Sequence, residues 1–152
     1  MRDDSCDFLI VGTGIVGLTV AWELKKRHPL SKIIILEKES KVGLHASGRN
    51  SGVLHSGIYY GSDTLKAKVC SSGAKKMQEF ADEYNISYNK SGKVIIATSE
   101  DDLATIDKLI KNASENGIIA KKLNEHEVKE IEPYANPYQS GIHVPETAVI
   151  DS

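Results

Sequence analysis

The sequence predicts an α/β chain that opens with a parallel βαβ unit and continues into part of an α+β region. Three patterns carry that prediction. An apolar run, Asp7-Phe8-Leu9-Ile10-Val11, feeds directly into Gly12-x-Gly14-x-x-Gly17. A helical stretch follows, and a second apolar run, Ile33-Ile34-Ile35-Leu36, ends in Glu37. Beyond Leu65, long amphipathic stretches alternate with short β-prone runs, a different rhythm from strand–helix–strand.

The elements are justified in turn. Strand one is expected over about Asp7 to Val11 and helix one over Ile15 to Arg27, with Val16, Val20 and Leu24 on one stripe. His28-Pro29 ends that helix, because Pro29 cannot continue it and restricts His28. Strand two, about Lys32 to Glu37, is apolar on both faces, as a buried parallel strand requires. From Lys38 to Asp63 small polar residues and glycines dominate, too long a stretch for an ordinary connection. The interleaved Val53, Leu54, Ile58, Tyr59 and Tyr60 argue against disorder there.

A helix over Leu65 to Tyr84 is expected to bury Val69, Gly73, Met77, Phe80, Ala81 and Tyr84. Strands at Ile86 to Asn89 and Lys93 to Thr98, joined by Lys90-Ser91-Gly92, read as a hairpin. Asp101 to Asn116 reads as an amphipathic helix on Leu103, Ile106, Leu109, Ile110 and Ala113, closed by Gly117. A short strand near Ile119 to Leu123, a helix from Glu125 to Ile131 and a weakly alternating segment from Ile142 to Ile150 complete the series.

The glycine spacing carries chemistry because each glycine has a physical task. In this Rossmann-like arrangement Gly12 permits the tight turn, Gly14 lets a pyrophosphate approach the backbone, and Gly17 lets helix and strand pack closely. The pyrophosphate would face the unpaired amides and positive dipole of the helix N-terminus. Glu37 stands about twenty residues beyond Gly17, where a carboxylate accepts hydrogen bonds from an adenosine ribose. A nicotinamide-binding domain would continue with another strand and helix. Here the loop from His45 to Tyr60 follows instead, and such a loop suits a flavin, with Asn50, Ser51 and Gly52 donating to phosphate and ribityl oxygens. The expected cofactor-binding residues are Gly12, Thr13, Gly14, Ile15, Val16, Gly17, Glu37, Lys38, Asn50, Ser51 and Gly52, and the expected cofactor is FAD.

Bulk properties narrow the classes. The 152 residues suffice for a real core, and a net charge of −2 supplies no basic field for nucleic acid. Cys6 and Cys70 lie far apart and make no metal-ligand pair; no metal is expected. Their scarcity suits a reducing compartment, so the cytoplasm is the expected location, with membrane association at most peripheral. No stretch has the length and apolarity of a membrane span. Met1 to Asp7 runs straight into the first strand, so no targeting leader is expected.

The text Leu36-Glu37-Lys38-Glu39, His45, Gly48, Asn50-Ser51-Gly52-Val53-Leu54-His55-Ser56-Gly57-Ile58-Tyr59-Tyr60 and Leu65-Lys66-Ala67-Lys68-Val69-Cys70 resembles flavoprotein oxidoreductases of the D-amino-acid oxidase and glycerol-3-phosphate dehydrogenase superfamily. Within it, the chain is most similar to L-2-hydroxyglutarate oxidases and dehydrogenases. Weaker similarity runs through Gly92-Lys93, Glu132-Pro133, Pro145 and Ile150-Asp151. Arg49 departs from the His of many members, and Ser152 from a common aromatic residue.

The resemblance implies FAD and oxidation of a 2-hydroxy acid, L-2-hydroxyglutarate favoured, to the 2-oxo acid; the electron acceptor stays open between oxygen, a quinone and another carrier. It implies His55 as the catalytic base, since imidazole titrates near neutrality. It also implies the N-terminal part of a longer protein: residues 1–84 as the FAD-binding portion and 85–152 as the beginning of a substrate or cap domain. Two other readings stay open, an amine, amino-acid or glycerol-3-phosphate oxidoreductase and a non-catalytic nucleotide-binding fragment. His45, Arg49, Lys66, Tyr59 and Tyr60 are secondary candidates for cofactor or substrate contact, and Cys70 is expected in the core.

Overall fold

The structure, a computed structural model, describes residues 5–151. Among these the fold is mixed α/β, and it divides into two compact units, one ending at Ser51 and the other spanning Gly52–Asp151. Ser152, the departure noted above, lies outside the described residues.

The first unit is the βαβ unit. Strand β1 (Phe8–Val11), helix α1 (Ile15–Arg27) and strand β2 (Ile33–Leu36) follow in order, and the strands pair in parallel from Phe8↔Ile33 to Val11↔Leu36. The Gly12 amide extends the ladder to the Leu36 carbonyl at 2.7 Å. Helix α1 begins and ends where its sequence signals place it, and the His28 amide closes it on Leu24. Burial differs from expectation. Ala21 is the buried residue of α1, whereas Val16 is 72% and Val20 46% exposed. Strand β2 is half open, not enclosed, and Val11 on β1 is 80% exposed. Apolar periodicity shows which faces are apolar; a two-stranded sheet with a single helix does not cover all of them.

The second unit is antiparallel. A two-residue strand β3 (Val53–Leu54), helix α2 (Leu65–Glu83), strands β4 (Tyr88–Asn89) and β5 (Lys93–Ile96), helix α3 (Leu103–Glu115), strand β6 (Lys121–Asn124), helix α4 (Glu125–Ile131), and strands β7 (Ser140–Val144) and β8 (Ala148–Ile150) make two three-stranded sheets. Their orders are β3-β8-β4 and β5-β7-β6. The core gathers Ile58, Ala97, Ile106, Leu109, Ala113, Ile118, Ile142 and Val144. Helix α3 supplies Ile106, Leu109 and Ala113 to it, as its period requires.

Two expectations fail here. The segments at 86–89 and 93–98 are strands in part, but they do not pair with each other: β4 pairs with β8 and β5 with β7. At Gly92, with φ of 71°, the backbone turns left-handed, and its amide bonds the Thr147 carbonyl, so the chain passes between sheets instead of folding back. On α2, Ala67 and Ala81 are buried while Val69 and Tyr84 are exposed, which rotates the packed face from the one expected. Cys70 is half-buried, not fully in the core.

Candidate functional site: a glycine-rich turn and a histidine recess

In the first unit the chain turns sharply at Gly12, whose φ is 102°. A side chain on Gly17 would put its Cβ 2.1 Å from the Gly12 carbonyl oxygen and 3.5 Å from Ile10 Cγ2, so this glycine is what lets α1 start against β1. A Cβ on Gly14 would stand 3.2 Å from Ser47 Oγ, whereas at Gly12 it would meet nothing within 4 Å. The first turn of α1 carries no acidic residue, and Gly14 offers no side-chain cap. The Ile15 amide donates to Ser47 Oγ at 2.9 Å. A helix N-terminus whose own first turn carries no acidic residue fits a pyrophosphate, which would compete with Ser47 Oγ for the Ile15 amide. Ile15 and Val16 are exposed on that first turn.

Glu37 follows β2 and ties the turn together. Its Oε2 accepts from the Thr13 amide at 2.7 Å and from Thr13 Oγ1 at 2.6 Å, and its Oε1 accepts from the Glu39 amide at 3.0 Å. These donors, the Thr13 hydroxyl first, lower its pKa from 4.5 to about 2. The Thr13 hydroxyl and amide are thus both committed to Glu37, and Thr13 is buried. The Lys38 backbone donates as well, so four donors converge on a carboxylate with about four acceptor positions, and a ribose hydroxyl would share an oxygen with them. Lys38 is exposed beside Glu39, 3.7 Å away.

The loop of the first unit is organised by its own side chains. His45 Nε2 lies 2.9 Å from Glu39 Oε1, which gives His45 a structural role in the loop. A 3-10 turn spans Ala46–Gly48, and Asn50 Nδ2 donates to the Ala46 and Ser47 carbonyls at 3.3 and 2.8 Å. Arg49 and Ser51 are exposed. Ser47 is the residue that the sequence reading missed. It sits within a run of small polar residues that drew attention as a loop, without a signal for which hydroxyl meets the helix.

In the second unit Gly52, with φ of 66°, is buried against β8, where a Cβ would fall 2.3 Å from the Ile150 carbonyl oxygen. Its own carbonyl accepts from the Ile150 amide at 2.9 Å. Gly52 therefore has a strand-packing reason to be glycine. His55, just after β3, is exposed and opens onto a recess of ≈ 60 Å³ that Tyr59, Tyr60 and Lys93 also line. Lys93 Nζ lies 4.3 Å from the centre of the Tyr59 ring, and Lys66 Nζ lies 5.7 Å from that of Tyr60. Lys93 was not expected at a site; its one mark in the sequence was the weaker family similarity at Gly92-Lys93. Among the described residues no cluster of His, Cys, Asp and Glu is suited to a metal, and no helix is long and apolar enough to cross a membrane.

The chain is 44% identical over 147 residues to the mitochondrial L-2-hydroxyglutarate dehydrogenase of Dictyostelium discoideum, covering 95% of this chain and 33% of that protein. It is 40% identical over 148 residues to the human mitochondrial L-2-hydroxyglutarate dehydrogenase, covering 97% and 32%. The chain thus spans about a third of the length of these relatives. Among solved structures, L-alpha-glycerophosphate oxidase from Mycoplasma pneumoniae with FAD bound matches at a TM-score of 0.84 and 28% identity, over 96% of this chain and 39% of that one. Glycine oxidase from Geobacillus kaustophilus also reaches 0.84, at 22% identity over 96% and 40%, a likeness of fold alone. The family described as DAO, FAD dependent oxidoreductase, matches residues 7–152, and the chain belongs to that family.

Proposed function

We propose that this chain supplies the dinucleotide-binding part of an FAD-dependent oxidoreductase that oxidises L-2-hydroxyglutarate to the 2-oxo acid. The observation that carries the reading is the identity of about 40% to L-2-hydroxyglutarate dehydrogenases along almost the whole chain. The glycine turn and Glu37 support the cofactor assignment by their shape and charge.

In this reading Gly12, Thr13, Gly14, Ile15, Val16 and Gly17 form the pyrophosphate cradle, and Glu37 and Lys38 lie at the ribose. Asn50, Ser51 and Gly52 belong to the loop along the phosphate and ribityl chain. Residues 1–84 serve the cofactor and 85–152 begin the substrate or cap portion. Bound FAD supplies the acceptor for two electrons. His55 accepts the proton of the substrate hydroxyl at a ring nitrogen as hydride departs from the adjacent carbon, which leaves a carbonyl. Tyr59 and Tyr60 line the same recess as His55. Oxygen, a quinone or another carrier would serve as the final electron acceptor. A reducing, cytoplasmic compartment suits the two free thiols, Cys6 and Cys70.

The test is direct. Denatured protein is expected to release FAD. In a protein of the relatives' full length, L-2-hydroxyglutarate added without oxygen is expected to bleach the bound flavin, whereas the 152-residue chain by itself is expected to show little activity. Release of a nicotinamide nucleotide without flavin overturns the cofactor. Bleaching by glycerol-3-phosphate or an amino acid, but not by the hydroxy acid, moves the substrate to another branch of the family. Bound flavin that no substrate bleaches leaves a nucleotide-binding chain without catalysis.

A further inference from the structure

We infer that Lys93 holds a substrate carboxylate beside His55. The inference deepens the 2-hydroxy-acid reading and rests on it. Lys93 is the first residue of β5, in register with Val144 of β7, and Gly92 sets its position. The left-handed backbone at Gly92 and the 2.9 Å approach of His143 Nε2 to its missing Cβ fix how the strand begins. Lys93 is half-buried, and its ammonium faces an aromatic ring.

Lys26, Lys66 and Lys90 also lie over aromatic rings with no carboxylate partner among the described residues; what sets Lys93 apart is that it lines one recess together with His55. Among the described residues no carboxylate pairs with Lys93, whose charged end shares a recess with His55, Tyr59 and Tyr60. An ammonium with no carboxylate partner has its charge free for an arriving anion.

Size selects the anion. A recess of ≈ 60 Å³ takes a carboxylate head or a few waters, not a whole five-carbon diacid. A 2-hydroxy acid therefore enters by its C1 carboxylate and leaves the rest of the molecule outside. The hydroxyl is borne on the carbon next to that carboxylate, so anchoring C1 on Lys93 brings the hydroxyl to the mouth of the recess, where His55 lies. Lys93 in this role is a positioning residue for the proton transfer and the determinant that favours acids over neutral alcohols.

The experiment is a titration of the full chain with L-2-hydroxyglutarate, followed by the NMR ring signals of His55 and Tyr59. Wild type is expected to shift and saturate. Lys93→Met is expected to bind about ten- to hundredfold more weakly, with its unfolding midpoint unchanged, and Lys93→Arg to stay within about threefold of wild type. The dimethyl ester of the same acid is expected to bind both proteins alike, because it offers no anion. If Lys93→Met does not fold, Lys93→Gln replaces it.

Equal acid binding by wild type and the neutral variant overturns the assignment of Lys93, as does a wild type whose ring signals never move. Neither result touches oxidation of the acid by the flavin-loaded protein, which is read separately by bleaching. Conversely, Lys93-dependent acid binding with a flavin that stays oxidised keeps the anion site and removes hydroxy-acid oxidation.

Discussion

The two units of this protein hold their shapes by different means. In the second, Ile58, Ile106, Ile142 and Val144 are sealed in a common core with antiparallel sheets, and burial defines the structure. In the first, Leu9, Val11, Val16 and Leu36 remain exposed, and a few tight polar contacts define the turn: Gly12 to Leu36, Thr13 to Glu37, Ile15 to Ser47. The turn of the first unit is thus held by local geometry and not by a deep core. Such geometry is brittle to single atoms, whereas a core is sensitive to lost volume.

Four perturbations break or sharpen the contrast. The largest effect is expected on rate. In a protein of the relatives' full length, His55→Ala should slow flavin reduction by L-2-hydroxyglutarate by about 10²–10⁴-fold with FAD still bound, while leaving stability nearly unchanged, because the residue is exposed. Stopped-flow measurement of flavin reduction in the loaded protein checks this, and wild-type speed would make His55 structural. Next, Ile142→Ala should cost the second unit about 2–5 kcal/mol, since Ile142 is 0% exposed. Hydrogen exchange of β5 and β7 amides reads that loss, and unchanged protection would mean that the core is not what holds these strands.

Gly17→Ala comes third. Its methyl group would collide with the Gly12 carbonyl, an overlap that backbone must relieve at a cost of about 1–3 kcal/mol. FAD retention is expected to fall sharply while the protection of the second unit's core persists. Full flavin content per chain in that variant would locate the cofactor elsewhere.

The smallest effect concerns pH. Glu37 has a folded pKa lowered from 4.5 to about 2, so its ionised form is the one that the fold favours. The stabilisation is present above the unfolded value and is lost as pH falls from about 4.5 towards 2. The Thr13 amide should exchange faster across that window, and Glu37→Gln should flatten the dependence. The same substitution should weaken FAD binding by about ten- to hundredfold. An unaltered dissociation constant would confine Glu37 to bracing the turn.

Much of this was legible in sequence wherever the determinant is local. Helix α1 spans Ile15–Arg27 and α4 spans Glu125–Ile131 as read, because glycine spacing, Pro29 and a polar start mark their ends. For α4 the mark is a capping box, in which Asn124 and Glu127 satisfy each other's backbone amides. The hairpin over Lys90-Ser91-Gly92 misled for the opposite reason. Two adjacent β-prone runs with a glycine between them look alike whether they pair together or with distant strands, and here β8 and β7 were the stronger partners. The Val16 and Val20 stripe was correctly apolar, but periodicity carries no information about what covers it. At the site, Gly12, Gly14, Gly17 and Glu37 stood out by spacing. Ser47 and Lys93 did not, since their significance comes from neighbours far along the chain.

The position of β8 has a consequence for how the protein is made. Val149 pairs with Val53, about a hundred residues earlier, and also with Asn89. Strands β3 and β4 are therefore synthesised long before the strand that joins them. Until Ile150 leaves the ribosome, Val53-Leu54 and Tyr88-Asn89 have no central partner, and their hydrogen-bonding edges wait open. The sheet just beside His55 is accordingly a late, slow event of folding, dependent on closing long loops, whereas the contiguous βαβ turn can form early on the emerging chain.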